Sequence, residues 1–269
     1  MNALDVKNFD LLRDNPRRSG RVIAMSLYGD DPKYTLGAVR NAQLLPVIFP
    51  GWRLFIYCRR QVPSESTAGG PDVCASVPLQ VTRKLEELGA ELKYIDPSGL
   101  APMMWRFLPV DDDTVDVFIS RDSDSRLTER DAALVSVWLD TDTLFHCIRD
   151  HPSHAVFPVS GGLWGARTKW LRLVLGHRPI ASLLQYSDGY LEDMRFLGSE
   201  LWPLVQSLAY CHDSVSCGKW PNSHPILMER ERAEHVGQVF DARSIPRQND
   251  IELLMAAERN SECEPNTFS

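Results

Sequence analysis

Asp122 and Asp124 are two carboxylates two residues apart, and they follow directly on the apolar run Val115–Ser120. A turn at that place lets both converge on one cation. Carboxylate oxygens suit hard ions such as Mg²⁺ or Mn²⁺, which keep part of their water shell and bind phosphate oxygens as well. A D-x-D triplet is common in any sequence, so the triplet alone says little. Its place at the end of a strand is what points to a site.

Other residues with chemistry to offer surround it. Arg106 lies inside Met103-Met104-Trp105-Arg106-Phe107, where an unpaired charge is costly. Its partner is either a phosphate, which matches the guanidinium fork, or Asp122 or Asp124 in an ion pair. Arg126 is a second cation beside the triplet. Gly161-Gly162 lets backbone approach a ligand closely. Trp164, just after, either stacks on a ring or packs at a helix start. Glu192 and Asp193 form an acidic pair on a helical stretch. Asp150, His151 and His154 are a further polar cluster, with no role assigned.

The elements that must hold these residues alternate. Arg21–Tyr28 reads as a buried strand ending in the turn Gly29-Asp30-Asp31-Pro32. Apolar residues at Leu36, Val39, Ala42, Leu45 and Val47 predict a helix over 34–48. Strands are predicted at 52–58, 90–95, 115–120 and 145–149. Helices are predicted at 81–88, from Thr128, whose hydroxyl can cap it, to Leu139, at 168–175, and at 190–208 with a break near Pro203. Residues 62–78 read as a Pro-, Gly- and Ser-rich loop, and 160–165 as a flexible loop. The last third is less regular. This order implies an α/β fold with an open, largely parallel sheet, whose ligands bind outside the carboxyl ends of the strands. The ends of the first strand and of 115–120 would then flank one crevice.

The stretches SLYGDDPKYTLGAVRNAQL, MMWRFLPVDD, FISRDSDSRL and RDHPSH, with the D-x-D after a strand and a later Gly-Gly loop and acidic helix, resemble the GT-A glycosyltransferases. They also resemble a group of uncharacterised glycosyltransferase-like proteins. The resemblance spans most of 21–240. It implies a GT-A, Rossmann-like open mixed sheet with helices on both faces. It implies a lead-in at 1–20, a catalytic domain at 21–243 (a nucleotide-binding half 21–126, an acceptor half 127–243) and a tail at 244–269.

The resemblance also implies roles. A nucleotide sugar, most often a UDP- or GDP-sugar, would donate its sugar to an acceptor that is a glycan, a protein or a small molecule. Asp124 would be a ligand of Mn²⁺ or Mg²⁺, and Asp122 would touch the ribose or the metal, with Ser123 between them in the donor site. Ser26, Leu27 and Tyr28 would hold the nucleotide. Arg106, Gly161, Gly162 and Trp164 would border the donor. Asp193-Met194-Arg195-Phe196-Leu197 is similar to a D-Q-x-F-L pattern with Met194 in place of the amide. There Asp193, or Glu192 as its competitor, would act as base or orient the acceptor. His212 would be a third metal ligand, with His224 its rival, and Lys219 would meet the diphosphate. The spacing of these last departs from the family's pattern.

The whole chain sets bounds on these readings. Its 269 residues carry 43% hydrophobic and 24% charged side chains, an ordinary soluble composition. The net charge of -7 argues against a nonspecific nucleic-acid binder. No apolar run is long enough for a bilayer, and charges interrupt the first twenty residues, so a cytoplasmic protein is expected. Six cysteines include no C-x-x-C pair. Cys58 and Cys147 sit in strand-like runs and are expected to be buried. Cys211 and Cys217 are close enough to bridge, although the reducing compartment favours thiols. A sugar-nucleotide nucleotidyltransferase is the first rival function, disfavoured by the acidic turn after the first strand. A non-catalytic carbohydrate-binding protein is the second. The P-loop pattern and G-x-S-x-G are both absent.

Overall fold

Along the first strand, successive side chains enter two different cores. Val22 and Ala24 join one apolar cluster, and Ile23, Met25 and Leu27 join the other. The same two-residue alternation divides Phe55 and Tyr57 from Leu54, Ile56 and Cys58. A strand buried on both faces needs apolar residues at every position, which is why these runs are continuous rather than alternating. The computed structural model describes residues 20–59, 77–95, 100–184, 191–216 and 218–260. The lead-in at 1–19, most of the 62–78 loop, Cys217 and the residues after 260 lie outside them.

Strands β1 (Arg21–Leu27), β2 (Arg53–Arg59), β3 (Glu91–Ile95), β4 (Val117–Ser120), β5 (Phe145–Arg149), β6 (Trp164–Arg167), β7 (Ala209–Asp213) and β8 (Ser223–His224) form one 8-stranded sheet in the order β3-β2-β1-β4-β6-β5-β7-β8. All described pairings are parallel except those of β6, which runs antiparallel between β4 and β5. The expected mixed, open α/β sheet is therefore present.

Helices α1 (Pro32–Ile48), α2 (Leu79–Glu87) and α3 (Glu129–Leu139) cover one face. The other is covered by α4 (Thr168–Val174), the 3₁₀ segment Pro102–Asp111, and the run of α5 (Glu192–Phe196), a π-helical turn (Leu197–Leu201) and α6 (Trp202–Val205). Pro203 stands in the first turn of α6, directly after the π-helical turn, close to the break expected there. Pro32 likewise opens α1 behind the Asp31 cap, whose side chain accepts from Lys33 N at 2.8 Å. Thr128 caps α3 by accepting from Asp131 N at 3.2 Å.

Two expectations need correction. The 160–165 segment is not wholly a loop, because its end is the start of β6. Residues 244–260 are not simply a tail, because α7 (Gln248–Asn260) is a 13-residue helix. Cys58, Cys147 and Cys211 are buried free thiols, and Cys217, close enough in sequence to bridge Cys211, lies outside the described residues. No described helix is long and apolar enough to cross a membrane.

Candidate functional site

The parallel strands β1 and β4 are neighbours, with Ala24 paired to Ser120, so both chains leave the sheet at the same edge. Ser26 and Tyr28 at the end of β1 and Asp122, Ser123 and Asp124 after β4 line one cavity of about 640 Å³. This is the crevice predicted from strand order.

The D-x-D loop is held from three directions. From β4, Arg121 is fully buried and pairs with Asp131 of α3 through two hydrogen bonds of 2.8 and 2.6 Å. From α1, Asn41 donates to Ser125 O at 3.0 Å and accepts from Leu127 N at 3.0 Å. From the C-terminal side, Phe240 N donates to Asp124 O at 2.9 Å. The buried amide of Asn41 thus satisfies loop backbone that would otherwise be orphaned.

Arg106 joins the two acidic candidates. Its guanidinium pairs with Asp122 and with Asp193, the latter at 2.8 Å. The open partnership in the sequence is resolved as an ion pair with Asp122, plus one with Asp193. Asp193 also accepts from Met194 N at 2.9 Å. Burial lifts the Asp193 carboxyl above the ordinary range, and Arg106 offsets this only in part. Arg106 N in turn donates to Ser26 Oγ at 3.1 Å, tying this segment to β1.

The glycine pair is explained by these carboxylates. A Cβ on Gly161 would stand 1.9 Å from Asp193 Oδ2, and one on Gly162 would stand 2.0 Å from Asp122 Oδ2. Neither glycine has a positive φ, so close approach rather than backbone freedom requires them. Gly161 O accepts from Ser120 Oγ at 2.7 Å, which fixes the loop to β4.

Asp124 faces Lys33 of α1 at 2.7 Å. Burial and the nearby Asp122 charge raise its carboxyl above the ordinary value, against the lowering effect of Lys33. The far wall comes from the irregular segment before α7, with His235, Gly237, Val239 and Arg247, and from Asp250 in the first turn of α7. Buried Asp150, just past β5, positions that wall. It pairs with Arg130 and Arg230 and accepts from Val236 N at 2.9 Å. His151 and His154 also line the cavity, and the His151 ring stacks on His235 with centroids 4.6 Å apart.

Of the residues singled out from sequence, the cavity gathers Ser26, Tyr28, Arg106, Asp122, Ser123, Asp124, Gly161, Gly162 and Asp193. Seven others are elsewhere. Leu27 is 1% exposed and belongs to the core. Trp164 is fully buried in β6, stacked on Phe145 at 5.3 Å and edge-on to Phe118 at 4.8 Å, so it has no face for a sugar. Glu192 pairs with its helix neighbour Arg195 at 2.5 Å, away from the lining. Lys219 donates to Ala155 O at 3.0 Å. His212 is buried in β7 and shares a 2.8 Å hydrogen bond with His146, so it is not directed at Asp124. His224 stacks on Tyr210 at 3.9 Å. Arg126 lies against Phe240 and its own loop.

Sequence reasoning missed Lys33, His235, Arg247 and Asp250. Lys33 had a usable signal, since it follows the turn at the end of β1. The other three carry none.

Burial holds His212 and His235 down to about 4, and His146 well below 6.5. In the unfolded chain each takes a proton near 6.5, so between pH 6.5 and about 4 the unfolded state binds more protons. Stability is therefore expected to fall as pH drops through that window, by roughly 1 kcal/mol per pH unit for each such histidine. Urea unfolding at pH 7, 6, 5 and 4.5 measures the slope, and His235→Gln should flatten it. A flat wild-type profile would contradict the burial assigned to these rings.

Compared by sequence, the chain matches no family model and no curated protein. Compared by structure, it is similar to a glycosyltransferase involved in the glycosylation of the major capsid of PBCV-1, at 10% identity over 72% of this chain and 81% of that one, TM-score 0.40. It is similar to the galactosyltransferase LgtC in complex with donor and acceptor sugar analogs, at 13% identity, 72% and 73% coverage, TM-score 0.42. It is similar to glucosyl-3-phosphoglycerate synthase from Mycobacterium tuberculosis in complex with phosphoglyceric acid, at 13% identity, 80% and 74% coverage, TM-score 0.43.

Proposed function

We propose that this chain transfers a sugar from a nucleoside diphosphate sugar to an acceptor bound in the same cavity. One observation carries the reading. Two aspartates from the end of β4, a strand-end serine and tyrosine from β1, and a glycine pair pressed against the carboxylates all line one cavity. Its volume, about 640 Å³, lies within the usual range for small-molecule sites.

The donor set fits a divalent ion. Asp122 and Asp124 offer hard oxygen ligands, and Gly162 lacks the Cβ that would displace Asp122 Oδ2. Among the described residues no three His, Cys, Asp or Glu side chains group to hold an ion by themselves, so the remaining ligands would be phosphate oxygens and water. Held there, Mn²⁺ or Mg²⁺ would supply Lewis-acid stabilisation of the departing diphosphate.

The chain's own residues do the rest. Tyr28, edge-on to Trp105 at 6.1 Å, presents a ring to the nucleotide base. Arg106 holds Asp122 and Asp193 at fixed positions, so neither must be ordered at the moment of reaction. Asp193 accepts a hydrogen bond from a sugar or acceptor hydroxyl. Gly161 and Gly162 keep both carboxylates in place by offering no Cβ to displace them.

A thermal-shift panel of UDP, GDP and their sugars, with and without Mn²⁺, tests the proposal. Stabilisation that needs both nucleotide and metal is expected. Folded protein that responds to none of them would refute the donor assignment. Gly162→Ala is expected to cost about 1–3 kcal/mol by overpacking. It should weaken metal-dependent nucleotide binding roughly 10–100-fold by displacing the Asp122 carboxylate. Calorimetric titration of the variant with UDP and Mn²⁺ checks this, and unchanged affinity would show that Asp122 is not involved.

A further inference from the structure

Lys33, Gly37 and Asn41 stand four residues apart on α1 and so share one face of the helix. That face is pressed on the D-x-D loop. Asn41 bonds Ser125 O and Leu127 N, and a Cβ on Gly37 would fall 2.1 Å from Ser123 O. The helix start is fixed too, by the Asp31 cap. The placement of Lys33 follows from this packing, which sets its Nζ 2.7 Å from Asp124 Oδ2 at the cavity wall.

Each carboxylate of the triplet therefore has a cation from the chain itself, Arg106 on Asp122 and Lys33 on Asp124. The two cations differ in kind. Arg106 is buried and clamped between two carboxylates, so it is a fixture. The Lys33 side chain is 30% exposed and ends in one compact charge on a flexible stem. Its second neighbour is the ring of Tyr34, 4.7 Å away, also on the cavity wall. An ammonium and a divalent ion on the same carboxylate repel each other. The phosphates of a nucleoside diphosphate would attract both.

We propose that Lys33 is a resident counter-ion that keeps Asp124 from holding a divalent cation until a nucleoside diphosphate enters, whose phosphates draw the ammonium off the carboxylate. The inference rests on the donor-site reading above. Its consequence is positive coupling: metal and nucleotide each strengthen the other's binding through the exchange of Lys33, and not only through direct contact.

Mn²⁺ titrations followed by electron paramagnetic resonance, without nucleotide and with saturating UDP or GDP, test this on wild type, Lys33→Gln, Lys33→Arg and Asp124→Asn. In wild type, nucleotide should tighten Mn²⁺ binding at least tenfold. Lys33→Gln should bind Mn²⁺ alone five- to tenfold more tightly than wild type, and the coupling should shrink by a similar factor. Lys33→Arg, which keeps the charge, should stay near wild type. Asp124→Asn should lose the Mn²⁺ site in every condition. Mn²⁺ affinity of Lys33→Gln within twofold of wild type would overturn the proposal, as would Lys33→Arg behaving like Lys33→Gln. If Lys33→Gln gains Mn²⁺ affinity while neither nucleotide binds wild type, the counter-ion role stands and the donor reading fails.

Discussion

Arg106→Met is expected to destabilise the protein by about 3 kcal/mol, because it leaves the nearly buried Asp193 carboxylate without its cation. Asp122 is 43% exposed, so water compensates most of its share. Methionine fills much of the arginine's volume, which keeps the effect electrostatic rather than one of packing. The companion Arg106→Met/Asp193→Asn variant should recover at least about 1 kcal/mol of the loss, since no buried charge is then left unpaired. Urea unfolding of the wild type, both single variants and the double variant completes the cycle. A single-variant loss under 1 kcal/mol would mean that solvent reaches this pair freely.

Asp124→Asn is expected to behave in the opposite way, with function lost and stability kept. Its partner Lys33 is 30% exposed, so breaking that pair should cost less than about 1 kcal/mol. Loss of the anionic oxygen should remove the ion that offsets charge on the leaving group, an effect worth several kcal/mol, or about 10²–10³ in rate. The measurement is metal-dependent hydrolysis or transfer of a UDP- or GDP-sugar beside a melting curve. Transfer within tenfold of wild type, in a variant that melts normally, would take Asp124 out of the ion site.

How far the sequence could be read depended on whether each element's reason for forming is local. β1, β2, β4 and β5 are legible because burial on both faces demands unbroken apolar runs, and α1 and α3 because a cap precedes a helical period. β6 is four residues long and follows a glycine pair, and it exists because β4 and β5 both pair with it. β7 hides behind two titratable residues, His212 and Asp213, whose burial is tolerated because His146 partners the first and Arg149, Ser216 and Ser223 partner the second. The site divides the same way. Residues at or beside the ends of β1 and β4 could be named from strand order. His235, Arg247 and Asp250 reach the cavity through contacts such as Asp150 with Val236 N, which join positions 86 residues apart. The misreading of His212 has the same cause, since a histidine in a sequence does not disclose that its hydrogen bond is already taken.

β6 gives the cavity one wall built on the sheet, while the segment before α7 gives it one built off the sheet. Because β6 pairs with β4 up to Ser120 and Trp164, the glycine loop and the D-x-D loop are clasped to one another by sheet hydrogen bonds and by a tryptophan sealed in the core. A substitution that moves one of these loops must therefore strain the other. The opposing wall is the irregular segment before α7, where few backbone positions are committed to a sheet. That segment is still tied to the D-x-D loop by Phe240 N on Asp124 O, so a change in it reaches the carboxylates.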